Sequence, residues 1–327
     1  MSGSDSYIRK FFGYSSTGTF LVLIGLMLLF TFLSPELSFF SSENVTGLLA
    51  LGSEFGIVAL SVGVLMICGE FDLSVGSLLV FCMYVFIKMF EIGTNLVLTV
   101  LVVLGAGALV GLLNALITVK GQIPSFITTL GTMMLWRGVT LMLSLGFTRP
   151  FNPAVSPLLV GAFTGRIGGV VPVQVVWFAV FAVFLGMLLH LHKFGNWIYA
   201  TGDNKEAARA MGINTDRVKT ICFMMVGISC AFVAIMQTFR LESFCSTQGI
   251  GYELRTITAS VVGGTSLRGG IGSMTGILLG AVITQIIENG LILIGAPAFG
   301  IDAFIGTLIV IFVLLDSLLE RKRMSIR

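Results

Sequence analysis

Apolar runs recur along almost the whole of this 327-residue chain, at 18–34, 45–68, 74–90, 96–118, 124–145, 172–191, 219–240, 253–267, 271–294 and 299–319. About 20 apolar residues in helical form cross a hydrocarbon core of about 30 Å. In lipid every backbone N–H and C=O must find its partner within the protein, which leaves helices as the way across. The eighth run is too short to cross unaided, and its Gly, Ser and Thr content reads as a broken or half-span helix. With 56% hydrophobic and 11% charged residues and a mean hydropathy of +1.01, a soluble domain of this size would lack the charges to cover its surface. The expected fold is an all-α polytopic membrane protein of about ten transmembrane helices, some short or broken. Its parts are an N-terminal tail 1–17, a transmembrane domain 18–319 and a basic tail 320–327.

Charge placement orients the spans. If the first run enters from the cytoplasm, the cytoplasmic segments hold Arg9, Lys10, Lys120, five basic residues of 192–219, Arg268 and four after 320, thirteen of the 19. External loops hold Lys88, Arg149, Arg166, Arg240 and Arg255, and Arg137 lies inside a span. The bias places both termini in the cytoplasm. The first run follows Arg9 and Lys10 without a small-residue cleavage site, so a retained span is expected rather than a removed leader. Small-residue spacings at Gly52–Gly56, Gly107–Gly111 and Gly272–Gly276–Gly280 point to close helix packing. The five cysteines form no close pairs and read as apolar fillers. Two half-matching segments, GEFDLSVGS at 69–77 and SLRGGIGS at 266–273, are candidates for the two halves of an internal repeat.

Polar residues within spans are costly and carry the functional questions. Asp72 precedes the third run, where it can cap free N–H groups or serve a gate. Arg137 calls for a partner, with Glu54 and Glu288 as the available acids, and either an ion pair or a place in a translocation path fits it. Asn114, Gln237, Gln285 and Asn289 suit hydrogen bonds across helices or to a hydroxylated substrate. Asp72, Asn114, Arg137, Gln285 and Asn289 are thus the candidate path or gate residues. His190 and His192 have no further ligands nearby, so no metal site is expected. No Gly-Lys pair occurs, which excludes a phosphate-binding loop, and scattered basic residues give no nucleic-acid patch. No nucleophile–base set appears, so the chain is not expected to be an enzyme.

The loop His192–Lys219, HKFGNWIYATGDNKEAARAMGINTDRVK, carries more structure than a connector needs. Asp203 and Glu206 have capping-box spacing, Ala207, Ala208, Ala210 and Met211 favour helix, and Gly212 can end it in the left-handed conformation. So short a helix is marginal alone in water and is expected to rest on a support.

Four stretches carry a family resemblance: GEFDLSVGS (69–77), KGQIPSFITTLGTMMLWRG (120–138), GNWIYATGDNKEAARAMGIN (195–214) and ASVVGGTSLRGGIGSMTGILLGA (259–281). The chain resembles the permease subunits of bacterial ABC importers of the ribose type, with Gly69-Glu70-Phe71 departing from their usual Gly-Gly-Ile. The resemblance implies a multi-pass protein of the bacterial inner membrane, binding no cofactor itself, with ATP and Mg on a separate ATPase subunit. It implies a periplasmic or lipid-anchored solute-binding protein and a second permease copy or paralogue, within membrane lipid and without nucleic acid. It makes 192–219 a coupling loop, in which Gly202, Asp203, Asn204, Glu206, Ala207, Ala208, Arg209 and Gly212 dock on the ATPase. The solute is then a monosaccharide or similar small hydroxylated molecule. A secondary transporter driven by an ion gradient, using acids such as Glu54 and Glu288, is the alternative, and a membrane scaffold a further one.

Overall fold

The computed structural model describes residues 15–153 and 156–297, with isolated helical positions between 300 and 314. The tenth expected span therefore falls largely outside the described residues, as do the tail 320–327 and most of 1–17. The described helices, in chain order, are α1 (Ser15–Leu33), α2 (Ser42–Ile67), α3 (Val75–Glu91), α4 (Leu96–Gly121), α5 (Ser125–Ser144), α6 (Pro157–Thr164), α7 (Val173–His190), α8 (Lys193–Asp203), α9 (Lys205–Ala210), α10 (Thr215–Leu241), α11 (Tyr252–Val262) and α12 (Met274–Leu293). Two antiparallel bridges join loops: β1 (Arg149–Pro150) to β4 (Ser243–Phe244), and β2 (Arg166–Ile167) to β3 (Val171–Pro172). Among the described residues six helices, α2, α4, α5, α7, α10 and α12, are long and apolar enough to cross a membrane. The chain is an all-helical polytopic membrane protein.

Helices α2 and α10 form the centre. Residues 53–67 of α2 and 229–239 of α10 are buried without a break. Around them α4, α5 and α7 bury one face and turn apolar side chains outward, as Leu98, Leu101, Leu109 and Leu113 of α4 do. Helices that are apolar on every side belong in a core or against lipid. The expected small-residue packing is present. A methyl on Gly107 would fall 2.3 Å from the Gly227 carbonyl oxygen, so the backbones of α4 and α10 touch.

The bundle has two ends, the loop end, which carries α8 and α9, and the far end. Helix α2 runs to the loop end, where Ile67 meets Gly202, and α10 starts there and runs back. After each of these long helices the chain re-enters the bundle without helical structure, at 68–74 and 242–251, and a short helix then starts in the middle. The two starts meet, for a methyl on Gly76 would fall 2.0 Å from the Gly249 carbonyl oxygen. From that point α3 runs to the far end, where Arg149 pairs with Glu91 at 2.9 Å. In the opposite sense α11 runs to the loop end, from Tyr252, packed edge-on to Phe55, to Gly263, packed on Gly276. At 1.5 Å per residue they are about 26 Å and about 16 Å long, each short of a full crossing.

The units α2–α3 and α10–α11 are therefore an inverted pair of long helix, non-helical return and partial helix. This corrects the expected repeat of 69–77 with 266–273, since the second of those segments follows the short α11 and not a long helix. The eighth run is the partial helix its composition indicated. The third, expected as a plain crossing, starts in mid-bundle, because hydropathy reports apolar length and not depth. Both inner starts carry acids. Asp72 accepts the Ser74 N–H at 2.8 Å, and the Glu253 carboxylate stands beside Gly76.

Gly107→Val should destabilise the bundle by about 1–3 kcal/mol through overpacking against α10. Gly105→Val, at a position with open space around it, should be neutral. Thermal aggregation midpoints in detergent, read side by side, check the pair.

Candidate functional site

At the loop end the helix expected between Asp203 and Gly212 is α9, which starts one residue later after an extended Asn204 (φ −151°, ψ 100°), and a further helix, α8, precedes it. The Asn204 side-chain oxygen accepts the Ala207 N–H at 2.9 Å and caps α9. The capping box of Asp203 with Glu206 does not form, because Asp203 closes α8 and Glu206 instead reaches Arg209 at 3.7 Å. The stop is as expected. Gly212 has φ +84°, its N–H donates to Arg209 O, and the Ile213 N–H donates to Ala208 O. That is a Schellman ending.

The support is the end of α2 together with the 264–273 connector. A methyl on Gly202 would lie 1.9 Å from the Ile67 carbonyl oxygen, and that oxygen accepts the Gly270 N–H at 2.8 Å. Tyr199 donates to the Gly272 carbonyl at 2.9 Å, and burial pushes its phenol up, which keeps the proton in place. His190 and His192 serve as acceptors for the N–H groups of Met274 and Phe194. Gly202 thus faces the seat, and Ala208 is fully buried. Asp203, Asn204, Glu206, Ala207, Arg209 and Gly212 remain on the exposed face, beside Met211 at 70% exposure. A buried ion pair, Glu70 with Lys219, ties the 68–74 return to the start of α10 just behind this seat.

Asp72 and Asn114 form a hydrogen-bonded cluster in which Asn114 Oδ1 is left without a partner. Asp72 accepts from the Ser74 backbone and hydroxyl and from Asn114 at 3.3 Å, and Asn114 also donates to the Ser74 hydroxyl at 2.8 Å. Both are fully buried and act as cap and cross-helix tie. Arg137 pairs with neither expected acid. Its Nη1 donates to the carbonyls of Ser246 and Gln248, 2.9 Å each, and so latches the 242–251 return to α5. The acids are taken: Glu54 binds Arg240 through both oxygens at 2.8 and 2.9 Å, and Glu288 binds Arg255. Those two arginines, assigned to external loops by the charge pattern, belong to α10 and α11.

Gln285 and Asn289 do reach a cavity. About 340 Å³ in volume, it lies between the outer half of α2, the end of α10, the start of α11 and α12. That is the lower end of the roughly 300–1,000 Å³ typical of small-molecule sites. Its walls combine Gln237, Gln248, Gln285 and Asn289 with the Arg255–Glu288 pair and with Arg240, whose partner Glu54 lies behind the wall, and Phe55 and Ile292 supply apolar surface. The polar groups hold one another: Gln248 donates to Gln237, Gln237 to Tyr252, and Gln285 to Glu288. Asn289 and Asn44 exchange reciprocal bonds at 2.8 and 3.1 Å. Charges cancel pairwise, so the wall offers donors and acceptors without a net field. Sequence reasoning missed Tyr252, Gln248 and Arg255, although an arginine within the Gly/Ser/Thr-rich eighth run was the available signal.

Residues 44–314 match the family described as branched-chain amino acid transport system / permease component. The chain is 34% identical over 309 residues to the xylose/arabinose import permease protein XylH of Sulfolobus acidocaldarius, covering 92% of this chain and 85% of that one. It is 35% identical over 301 residues to the ribose import permease protein RbsC of Escherichia coli, with 91% and 92% covered. The autoinducer 2 import system permease protein LsrC of Photorhabdus luminescens is 30% identical over 300 residues, with 91% and 89% covered. No solved structure matches the chain.

Cys245 is partly exposed and the other four cysteines are buried, so it reports on the 242–251 return. Arg137→Gln should release that segment and raise maleimide labelling of Cys245 roughly tenfold, as loss of two charge-assisted bonds implies. Mass spectrometry of the labelled protein gives the rate, with Cys245→Ser as the blank.

Proposed function

The chain belongs to the permease-component family matched over residues 44–314, and from that premise we propose that it forms the translocation path of an ATP-driven importer for an uncharged sugar or similar small hydroxylated solute. Its relatives over nine tenths of the chain include import permeases for xylose/arabinose and for ribose, transport components and not enzymes. In this reading the chain crosses ten times with both termini in the cytoplasm, and two permease chains stand together. The loop end faces the cytoplasm and an ATPase subunit, which holds ATP and Mg. The far end faces a solute-binding protein.

The observation that carries the reading is the α8–α9 plug. Its inner face is locked to α2 through Gly202 and Ile67, and its outer face of Asp203, Glu206, Ala207 and Met211 is left exposed. A contiguous apolar and charged rim on a polar loop suits a partner protein. Force applied there reaches α2 directly. Alternating access is then a shift of α2 and α10 around the cavity, driven by closure of the ATPase.

The cavity favours the sugar class over the amino acid in the family's description. A zwitterion needs an unpaired charge of each sign, and here the arginines and acids already satisfy one another. The same pairing weighs against the ion-driven reading, because Glu54 and Glu288 are both committed to arginine.

Ala207→Trp and Glu206→Lys, on the exposed face, should cut ATP-driven uptake at least about tenfold and weaken co-purification of the ATPase while leaving insertion intact. Normal uptake with unchanged co-purification would remove the docking assignment. Gln285→Leu and Asn289→Leu should raise the uptake KM with little change in basal ATP hydrolysis, read with labelled D-ribose and D-xylose in vesicles.

A further inference from the structure

Two polar cavities lie in series along α2 and α10, and one side chain belongs to the wall of both. The second, of about 510 Å³, opens at the far end, bordered by Glu43 and Thr46 of α2, Arg166, Gln174 of α7 and Glu242 after α10. Arg240 lines this cavity and the central one alike. Its guanidinium is clamped by both oxygens of Glu54, a residue only 1% exposed that lines neither cavity, so the forked pair stands at the wall the two cavities share.

Gln174 identifies what the outer chamber lacks. It is 3% exposed, it borders the chamber, and its side-chain carbonyl oxygen has no hydrogen-bond partner. A buried amide oxygen without a donor is unfavourable, and a solute hydroxyl supplies that donor. The chamber's charged groups are two acids, Glu43 and Glu242, and two arginines, Arg166 and Arg240, so it too carries no net charge.

We propose that the far-end chamber is a vestibule site for an uncharged hydroxylated solute, and that the Arg240–Glu54 pair is the partition the solute passes to reach the central cavity. This rests on the reading that the chain conducts such a solute. The pair's two halves lie on α2 and α10, so a shift between those helices separates them. Helix α2 is also the one on which the α8–α9 plug is seated. Opening of the partition and motion of the plug are then one event.

The test uses the assembled importer in vesicles, in a Cys245→Ser background, with Thr46→Cys reporting the vestibule and Gln285→Cys the central cavity. A membrane-impermeant thiosulfonate is added from the far side. Thr46→Cys should react at least about tenfold faster than Gln285→Cys while the pair is intact, and the neutral double variant Glu54→Gln/Arg240→Gln should raise only the Gln285→Cys rate. Equal rates at both positions with the pair intact overturn the partition. So does a double variant that inserts yet leaves Gln285→Cys slow. Should it fail to insert, the ratio with the intact pair decides.

D-ribose and D-xylose are the probes for the site. One of them should slow Thr46→Cys labelling, and Gln174→Leu should abolish that protection. Absence of protection by both sugars overturns the vestibule site. Labelling ratios as expected in a complex that shows no ATP-driven uptake would instead refute the importer reading and leave the partition standing.

Discussion

Backbone laid directly on backbone at glycine is the contact on which the rest of the structure depends. Gly107 and Gly227 bring α4 against α10, Gly76 and Gly249 bring the two mid-bundle helix starts together, and Gly202 seats the α8–α9 plug on Ile67. Each contact leaves no room for a side chain, and lipid supplies no hydrophobic force to pull helices together, so close packing must do it. These contacts also make a path. Ile67 and Glu54 lie on one unbroken helix, 13 residues and so about 20 Å apart along its axis. The plug and the residues beside the cavity are thus joined by one continuous helix.

Buried charge is handled by the same economy. Carboxylates and arginines inside an apolar bundle are tolerated only when paired, and losing one partner strands the other. Glu54 with Arg240, Glu288 with Arg255 and Glu70 with Lys219 each join different elements, so each pair is also a tie between them. Arg137 follows another rule. It satisfies the backbone carbonyls of a non-helical segment that hydrocarbon would otherwise leave bare.

Much of this was legible in the residues. The six long apolar helices, the short eighth run, the glycine packing positions and the left-handed stop at Gly212 all follow from local rules. The start of α9 was misplaced by one residue because Asp203 and Asn204 both make good caps, and only the extended backbone at 204 distinguishes them. Arg137 could not be partnered from sequence, since carbonyl acceptors carry no side-chain signal. Arg240 and Arg255 looked like loop charges because their acids lie 186 and 33 residues away in the chain. Of the residues grouped with a path, Gln285 and Asn289 line the cavity, whereas Asp72 and Asn114 lie buried in a hydrogen-bonded cluster away from it, a difference that only the position of the cavity reveals.

Uptake into proteoliposomes that hold this chain, an ATPase subunit and a binding protein, with ATP on the ATPase side, separates borrowed from gradient energy. If the plug delivers the energy, labelled sugar accumulates only with hydrolysable ATP and continues after ionophores collapse every ion gradient. Accumulation without ATP that vanishes with the gradient would contradict it.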